Sequence, residues 1–440
     1  MTEVTLIQIL TSREERVIKQ KNILDKFGYP IISFTMNIAG PIKTSPLIER
    51  AFFEGINLLC NALSDKNIVY QDSEIKVTGC EAIFSVNADA AEIKKICTQI
   101  EENYSIGRLF DMDVIDTAEL KLERTSPRGC IVCGRAGREC SAGRLHSVEA
   151  LQSATKEIIE KYFFNNDKEY ISNLAVKSLL DEVYTTPKPG LVDCRNNGSH
   201  SDMDVKLFEK SANSLKSYFG ECFAIGHETK ELSCDKALLP LRKAGITAEQ
   251  TMYKATGGVN THKGAIYSLG LICASIGRLW KAETPFANSE DICQESGNFV
   301  KDSLRNDFEK ADTSTAGVRL YKNSGITGIR GEAASGFESV LKIGLPNYEN
   351  LLSQGLSQND AGVITLLHFV ANIKDTNLYH RGGEEGAQFA KQIAGGALKH
   401  SAYERKLIED LDDEFIKLNL SPGGCADLLA ITYFLYNIKH

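Results

Sequence analysis

Two aspartates lie one residue apart within an otherwise apolar run. Residues 107–116 read GRLFDMDVID, which places Asp111 and Asp113 at alternate positions. Alternate side chains of a strand share a face, so a strand here points both carboxylates the same way and sends Asp116 to the opposite face. Paired carboxylates repel each other unless a cation lies between them. The pair therefore indicates either a Mg²⁺ site for phosphoryl or nucleotidyl transfer or a solvated strand face.

The stretch that follows is rich in basic residues and in cysteine. Residues 121–146 hold six basic groups against two acidic ones. Such a cluster suits phosphates or an acidic protein partner, and the alternative is a solvated loop. Cys130, Cys133, Cys140 and His146 have the spacing C-x₂-C-x₆-C-x₅-H. Four such ligands suit structural zinc, but the second half of the spacing is not that of a standard finger. A buried thiol is the alternative for Cys140.

These motifs resemble the family of apo-citrate lyase phosphoribosyl-dephospho-CoA transferases, also called holo-citrate lyase synthases. The resemblance is carried by GRLFDMDVI and by RGCIVC-x₆-C-x₃-R-x-HS, and it covers most of residues 8–150. It implies that a triphosphoribosyl-dephospho-CoA group is attached to a serine of the acyl-carrier (gamma) subunit of citrate lyase, with release of pyrophosphate. It also implies that Asp111 and Asp113 bind Mg²⁺ or another divalent cation, that one of them handles the serine proton, and that Arg108 contacts phosphate.

Five glycine-bearing stretches with charged residues separate the helical segments of the remaining chain. They are EVYTTPKPGLVD (182–193), GGVNTHKG (257–264), NSGITGIRGEAASGF (323–337), DTNLYHRGG (375–383) and SPGGCADLLAITYFL (421–435). Glycine lets the backbone approach a ligand, and helix N-termini attract anions. None of the five is a Walker A loop or a G-x-G-x-x-G motif after a strand, which disfavours a kinase or a dehydrogenase.

The same stretches carry the ionisable residues of a candidate site for a phosphate-rich ligand. The basic residues that suit a polyphosphate are Lys188, Lys263, Arg330 and Arg381. The carboxylates that suit metal binding or acid–base work are Asp193, Glu332, Asp375 and Asp427. His262 begins an apolar helix, where a buried core histidine is the alternative. Helix capping is the alternative for Asp375 and Asp427, and we expect His200 and Asp202 to lie in a solvated loop.

Together, and in this order, the five stretches resemble the triphosphoribosyl-dephospho-CoA synthase family over about residues 170–440. Members join the triphosphoribose of ATP to the ribose 2′-OH of 3′-dephospho-CoA and release adenine, through an oxocarbenium-like transition state. The resemblance implies that Glu332 or Asp375 is the base or stabilises this charge, and that His262 protonates adenine. It implies metal binding by Asp193 and Asp427. The four basic residues would contact the triphosphate and the CoA phosphates.

Periodicity predicts two domains of different class. Residues 1–152 show the order strand, helix, strand, strand, helix, strand, after a first helix that starts at Ser12. This order predicts an α+β domain, a nucleotidyltransferase-like mixed sheet with helices on one face. Residues 153–440 predict an all-α domain after a helix break near residue 166. Its predicted helices are 168–184, 204–226, 247–256, 262–280, 286–310, 332–343, 358–373, 384–396, 402–417 and 423–437.

Composition excludes several classes of protein. A net charge of −8 argues against a nucleic-acid binder, and no apolar run is long enough to span a membrane. The N-terminus lacks the features of a signal peptide, and the cysteines lie mostly singly in apolar segments, so we expect a cytoplasmic protein. The alternatives are maturation of malonate decarboxylase, an ADP-ribosylglycohydrolase-like hydrolase, and an assembly chaperone that only grips the carrier.

Overall fold

The chain divides into two compact units, Met1–Asn166 and Asp167–His440. The computed structural model describes residues 2–124, 127–302, 321–322, 325–400 and 404–439. One helix runs without interruption over Val148–Tyr184, so the helix break predicted near residue 166 is wrong. The predicted domain limits, 1–152 and 153–440, stay a prediction. Two compact units do not show where an independently folding domain begins or ends.

The N-terminal unit is a small sheet with helices. Its strands β1 to β4 are Ile31–Met36, Asn67–Lys76, Gly79–Asn87 and Phe110–Ile115. Its helices α1 to α4 are Leu6–Phe27, Pro46–Ala62, Ala90–Asn103 and Gly137–Ala142, and a 3₁₀ turn covers Ser105–Leu109. Helix α5, Val148–Tyr184, follows. The predicted strand–helix–strand–strand–helix–strand order is confirmed, including the hairpin at Gly79.

Helix α1 begins earlier than predicted. A capping box forms between Thr5 and Gln8, in which Gln8 N donates to Thr5 Oγ1 at 3.3 Å and Thr5 N donates to Gln8 Oε1 at 2.9 Å. Ser12 lies buried inside the helix, where its hydroxyl donates to Glu81 at 3.3 Å. The sequence holds two candidate caps, and the earlier one satisfies the free N–H groups of the longer helix.

The sheet has the order β2-β3-β1-β4, and all three neighbouring pairs are antiparallel. The predicted mixed sheet is therefore wrong. Helix α2 connects β1 to β2 while β3 lies between them, and α3 connects β3 to β4 while β1 lies between them. Strands linked by a helix are thus never neighbours, and no parallel ladder forms.

Helices cover both faces of the sheet, rather than the one face predicted. On one face, Phe34 of β1 stacks with Phe52 of α2 at 5.1 Å between ring centroids. On the other face, Ile23 and Leu24 of α1 pack with Ile31 and Ile83. Strand β4 is an edge strand, which leaves the side chains near its start less covered than those of β1.

The C-terminal unit consists of helices and connecting loops, and its described residues contain no β-strand, as predicted. Its helices α6 to α10 are Val205–Ser214, Lys216–Glu228, Cys234–Thr256, Lys263–Leu279 and Ser289–Val300. Its helices α11 to α16 are Gly328–Ala334, Leu345–Ser353, Gln358–Asn372, Thr376–Ala397, Arg405–Lys417 and Gly423–Lys439. A π-helical segment covers Val340–Gly344. No helix in the described ranges is long and apolar enough to cross a membrane.

Several helix bounds differ from the predicted ones. Helix α8 begins at Cys234, before the predicted start at residue 247, and contains Pro240. Asp375 caps α14, so this helix begins before the predicted residue 384 and bends at Gly383, whose φ is 63°. The predicted helix 204–226 is two helices, α6 and α7. The parts of the predicted helices at 303–310 and 402–403 lie outside the described residues.

Two glycines place helix α9 against α7 with little space between the backbones. A Cβ atom on Gly226 would lie 1.9 Å from the carbonyl oxygen of Ala274, and one on Gly277 would lie 1.9 Å from that of Phe223. Any side chain at either position would push the helices apart. The close approach fixes the position of α9, and therefore of the THKG stretch at its start.

Candidate active sites

The aspartate pair of the N-terminal unit lies at the edge of the sheet. On β4, Asp111 faces Thr35 of β1 and Asp113 faces Ser33, which confirms that both carboxylates share one face. Asp111 is exposed, and Asp113 is half-buried with its Oδ2 2.6 Å from the Nζ of Lys121. Carboxylate oxygens are the ligands that Mg²⁺ prefers. The donor set therefore fits a divalent cation, although Lys121 already neutralises one member of the pair.

A buried glutamate forms ion pairs with two arginines of the basic stretch. Glu101 at the end of α3 has a side chain only 1% exposed, and it forms ion pairs with Arg124 and Arg128. It also accepts a hydrogen bond from Met112 N of β4 at 2.9 Å. Arg128 donates as well to the carbonyl oxygen of Phe110. These two arginines hold the chain against β4 and are not free to bind phosphate.

The other arginines near the aspartate pair fall into two groups. Arg108 donates through Nη2 to the carbonyl oxygen of Gly129, which ties the cysteine-bearing segment to the start of β4. Its predicted contact with phosphate stays a prediction. Arg135, Arg138 and Arg144 are exposed, so they are the basic groups of this stretch that a phosphate or an acidic partner can reach.

A cavity of about 880 Å³ in the C-terminal unit collects most of the predicted site residues. The predicted residues in its lining are His262, Lys263, Glu332, Asp375, Arg381 and Asp427. Three helices, α9, α14 and α16, begin at this cavity. The free N–H groups and the dipole of each helix N-terminus attract anions. The cavity therefore combines anion-binding helix ends with several carboxylates.

Asp375 joins two of these helix ends. Its Oδ1 accepts hydrogen bonds from Asn377 N at 2.7 Å and Leu378 N at 3.1 Å, which caps α14. Its Oδ2 accepts one from Cys425 N of α16 at 2.8 Å. Burial raises the pKa of Asp375, and these backbone donors act against that increase. Both oxygens are thus engaged in holding the cavity wall.

Asp427 has a different environment. It is half-buried by surface area because it faces the cavity, and no hydrogen bond to its carboxylate is formed within the described ranges. Burial raises its pKa well above the usual value, and the charges of Glu182 and Asp375 raise it further. A cavity-facing carboxylate with a raised pKa and no partner has the properties of a general base.

Glu182 is a cavity residue that the sequence analysis did not single out. Its carboxylate forms a buried ion pair with Lys188, whose side chain is 1% exposed. Lys188 does not line the cavity, so it neutralises Glu182 and does not reach a triphosphate. Glu182 is the first residue of the EVYTTPKPGLVD stretch, so the sequence did contain a hint of its role. Because Glu182 lies inside helix α5, it resembles an ordinary helical residue.

Asp193 lies outside the cavity and organises its own loop. Its carboxylate accepts hydrogen bonds from the backbone N–H groups of Lys188 at 2.7 Å, Arg195 at 2.7 Å and Asn196 at 3.1 Å. A carboxylate that is buried and satisfied in this way fits a structural role. This position does not fit the metal ligand that the sequence predicted.

His262 is buried at the start of α9, with its Nδ1 2.7 Å from the hydroxyl of Ser211. Thr261 donates its own hydroxyl proton to Ser211 at 2.6 Å, which leaves the Ser211 proton for Nδ1 and places the imidazole proton on Nε2. Nε2 has no partner among the described residues. Burial, aided by the charge of Lys188, lowers the pKa of His262 to about 3. The imidazole is neutral, which disfavours the predicted role as an acid on adenine.

His200 and Arg381 form a second polar pair in the cavity lining. Arg381 donates to His200 Nδ1 at 3.0 Å and to the carbonyl oxygen of Ser199 at 2.7 Å. His200 in turn donates from Nε2 to the Ser421 hydroxyl at 3.0 Å. Both His200 and Asp202 line the cavity, in a loop where Asp202 is exposed and His200 is half-buried, so the expectation of a solvated loop is wrong for His200 and holds for Asp202.

The other predicted residues are placed less centrally. Glu332 lines the cavity, accepts the Ser339 hydroxyl at 2.7 Å, and has a pKa raised by burial. Lys263 is half-exposed at the cavity, where it pairs with Glu249 at 2.8 Å. Arg330 is not among the lining residues, and residues 323–324 of its stretch lie outside the described ranges.

The approach of Asp427 to α9 depends on Gly264. A Cβ atom at Gly264 would lie 1.9 Å from Asp427 Oδ2. We expect Gly264→Ala to turn the carboxylate away and to lower catalysis more than stability, because the clashing atom ends a movable side chain. Overpacking typically costs about 1–3 kcal/mol. The reaction rate and the unfolding temperature measure the two effects.

Gly396→Ala is the matched control for Gly264→Ala. Gly396 is also helical, but a Cβ atom there meets nothing within 4 Å. This substitution should leave activity unchanged and stabilise the fold by up to about 1 kcal/mol. Equal activity in both variants would contradict the role given to Gly264.

Comparison with known proteins matches each unit to a different family. The profile of the family described as ATP:dephospho-CoA triphosphoribosyl transferase matches residues 168–440. The profile described as apo-citrate lyase phosphoribosyl-dephospho-CoA transferase matches residues 4–162.

Two similar proteins align with this chain over almost their whole length. A Haemophilus influenzae protein named CitXG is 34% identical over 458 aligned positions, which cover 100% of this chain and 97% of its own. A CitXG protein of Leuconostoc mesenteroides subsp. cremoris is 34% identical, with 98% of this chain and 96% of its own covered. A protein of Escherichia fergusonii named 2-(5''-triphosphoribosyl)-3'-dephosphocoenzyme-A synthase is 41% identical over 60% of this chain and 89% of its own.

Proposed function

The chain belongs to the family of ATP:dephospho-CoA triphosphoribosyl transferases, and we propose that the cavity of its C-terminal unit is where ATP and 3′-dephospho-CoA react. The protein is a bifunctional transferase that makes the citrate lyase prosthetic group and attaches it. In the first step the ribose 2′-OH attacks C1′ of ATP, the bond from C1′ to adenine N9 breaks, and 2′-(5″-triphosphoribosyl)-3′-dephospho-CoA forms. We infer that both steps take place in the cytoplasm.

The observation that carries this proposal is the meeting of three helix N-termini with an unpartnered carboxylate. The N-termini of α9, α14 and α16 suit the triphosphate, which is retained in the product. Lys263 and Arg381 add positive charge at the same cavity. Asp427 takes the proton of the 2′-OH, and its charge also favours the oxocarbenium-like transition state.

The carboxylates that the sequence favoured as base are less suited to the task. Asp375 uses both oxygens for backbone donors, and Glu332 accepts the Ser339 hydroxyl. Asp427 retains all its lone pairs for the substrate. His262 is neutral and its Nε2 is buried, so it offers at most an N–H hydrogen bond toward the departing base and does not protonate it. The proton that Asp427 takes from the 2′-OH passes to adenine as the product forms, which balances the step.

We infer that a divalent cation would be held in this cavity mainly by the phosphates of ATP, whose charge it would offset. In the described part of the chain the cavity carboxylates do not form a group of three ligand atoms close enough to hold a resident ion. Asp427 is the carboxylate that such a cation can reach from the substrate side. In the N-terminal unit Asp111 and Asp113 would hold the cation, whose charge would offset that of the leaving pyrophosphate.

The N-terminal unit attaches the completed group to its carrier. The serine hydroxyl of the apo acyl-carrier (gamma) subunit attacks the phosphorus nearest the ribose, and pyrophosphate departs. Asp111, which is exposed, accepts the serine proton, while Lys121 holds Asp113 in place. The exposed Arg135, Arg138 and Arg144 attract the phosphates and an acidic carrier surface.

The test follows both products in one incubation. The full chain is mixed with ATP, 3′-dephospho-CoA, Mg²⁺ and an apo acyl-carrier subunit of citrate lyase, and adenine and carrier mass are measured. We expect adenine release that depends on dephospho-CoA, followed by a gain in carrier mass. Adenine release without dephospho-CoA would indicate a hydrolase, and release without a gain in carrier mass would refute the N-terminal assignment. Faster loading of a malonate decarboxylase carrier would assign the protein to that system.

A further inference from the structure

The structure brings together the four soft ligands that the sequence spaces along residues 130–146. The ligand atoms of Cys130, Cys133, Cys140 and His146 all lie within 4.8 Å of one another. Cys133 Sγ lies 3.4 Å from Cys140 Sγ and 3.2 Å from His146 Nε2. Tetrahedral zinc with three sulfur ligands and one nitrogen ligand requires separations of about 3.5–3.8 Å. Small side-chain adjustments therefore suffice to reach zinc geometry.

The backbone around the first two cysteines is already arranged for a metal-bound thiolate. Val132 N donates to Cys130 Sγ at 3.4 Å, and Gly134 N donates to the carbonyl oxygen of Cys130 at 3.0 Å. Gly134 has a φ of 76°, which lets the chain turn back directly after Cys133. An N–H group that points at the sulfur stabilises its ionised form, and such outer hydrogen bonds are a regular part of metal sites.

The segment has little else to hold its shape. Its apolar residues Val132 and Leu145 are exposed, and its single helix, α4, has six residues. The alternative of an ordinary buried thiol therefore lacks a core for Cys140 to join. A disulfide needs a sulfur separation of about 2.05 Å, whereas Cys133 and Cys140 are free and 3.4 Å apart.

We propose that Cys130, Cys133, Cys140 and His146 bind one structural Zn²⁺. The segment adjoins the candidate site, because Arg108 donates to Gly129 and Arg128 donates to Phe110 at the start of β4. A fixed segment keeps these contacts, and it positions the exposed Arg135 and Arg138 near the strand that carries the aspartate pair. The zinc proposal does not depend on the proposed reactions, because zinc content is measured directly.

The test measures zinc in the full-length chain purified with a thiol reductant and then dialysed against metal-free buffer. We expect about one Zn²⁺ per chain, and a content at least about tenfold lower in the variant with both Cys133→Ser and Cys140→Ser. Cys194→Ser is the matched control, because Cys194 is an exposed cysteine outside the cluster, and it should keep full zinc. Adenine release by each variant reports whether the C-terminal unit is intact.

A second measurement uses only the unaltered chain, in case the double variant does not fold. Zinc is removed and replaced by Co²⁺, whose visible absorption distinguishes tetrahedral thiolate ligation from octahedral oxygen ligation. A tetrahedral thiolate spectrum supports the site. A purified chain without zinc that also gives no such spectrum would overturn the proposal, as would full zinc in a folded double variant. An unaltered chain that holds zinc but releases no adenine would instead refute the proposed function alone.

Discussion

Asp427→Asn should lower the rate of adenine release by about 10²–10⁴-fold, the usual loss when a general base is removed. Asparagine keeps the size of the side chain next to Gly264 but cannot accept the 2′-OH proton. The rate is measured with saturating ATP, 3′-dephospho-CoA and Mg²⁺. Binding of both substrates should persist, because the three helix N-termini remain.

The same substitution should stabilise the fold at neutral pH, because it removes a charge that folding disfavours. The pKa of Asp427 is higher in the folded chain than in the unfolded one, so folding disfavours its ionised form. Below the ordinary aspartate pKa both states are protonated and the cost vanishes. The cost grows as pH rises from the unfolded-state pKa towards the higher folded-state pKa, and above the folded-state pKa it stays constant. The gain in unfolding temperature should therefore be larger near pH 8 than near pH 4.

Two further variants decide between Asp427 and its rivals. Glu332→Gln should lower adenine release by much less than Asp427→Asn, because Glu332 is already engaged with Ser339. Asp410→Asn, at an exposed ion pair with Lys406, serves as the neutral control. Retention of adenine release within tenfold by Asp427→Asn would contradict its role as the base and return that role to Glu332 or Asp375.

Local sequence patterns were sufficient for the features that depend on neighbouring residues. The alternation of strand β4 placed Asp111 and Asp113 on one face, because the period of two is a property of the backbone. The start of α9 at Lys263 and that of α16 at Gly423 followed from glycine-bearing stretches before apolar helices. Many cavity residues lie at helix starts. Six of the site residues predicted from the sequence therefore line the cavity.

Features that depend on pairing between distant residues were not predictable in this way. Lys188 and Asp193 are residue types that often bind ligands. In the folded chain Lys188 is paired with Glu182, and Asp193 accepts hydrogen bonds within its own loop, so neither is available to a ligand. His200 reads as a loop residue until Arg381 and Ser421 are brought beside it. The sheet is antiparallel because of the order in which its strands lie side by side. Hydrophobic periodicity does not determine that order.

The second large effect concerns the N-terminal unit. Asp111→Asn together with Asp113→Asn should lower carrier loading by at least about 10²–10³-fold, the usual loss when charge stabilisation of a transition state is removed. Adenine release should be unchanged, because it belongs to the other unit. The variant should therefore accumulate 2′-(5″-triphosphoribosyl)-3′-dephospho-CoA, which mass spectrometry detects alongside an unmodified carrier.

Asp116→Asn separates charge loss at the pair from a general loss of negative charge near β4. Asp116 accepts backbone hydrogen bonds from Ala118 at 2.9 Å and Leu120 at 2.8 Å, so it shapes the turn after the strand. Its asparagine variant keeps an accepting oxygen and should load the carrier at a near-normal rate. If the variant of the pair also loads normally, the two aspartates form a solvated strand face. If it binds the carrier but does not load it, the loss lies in the chemistry, since a chaperone that only grips the carrier has no loading step to lose.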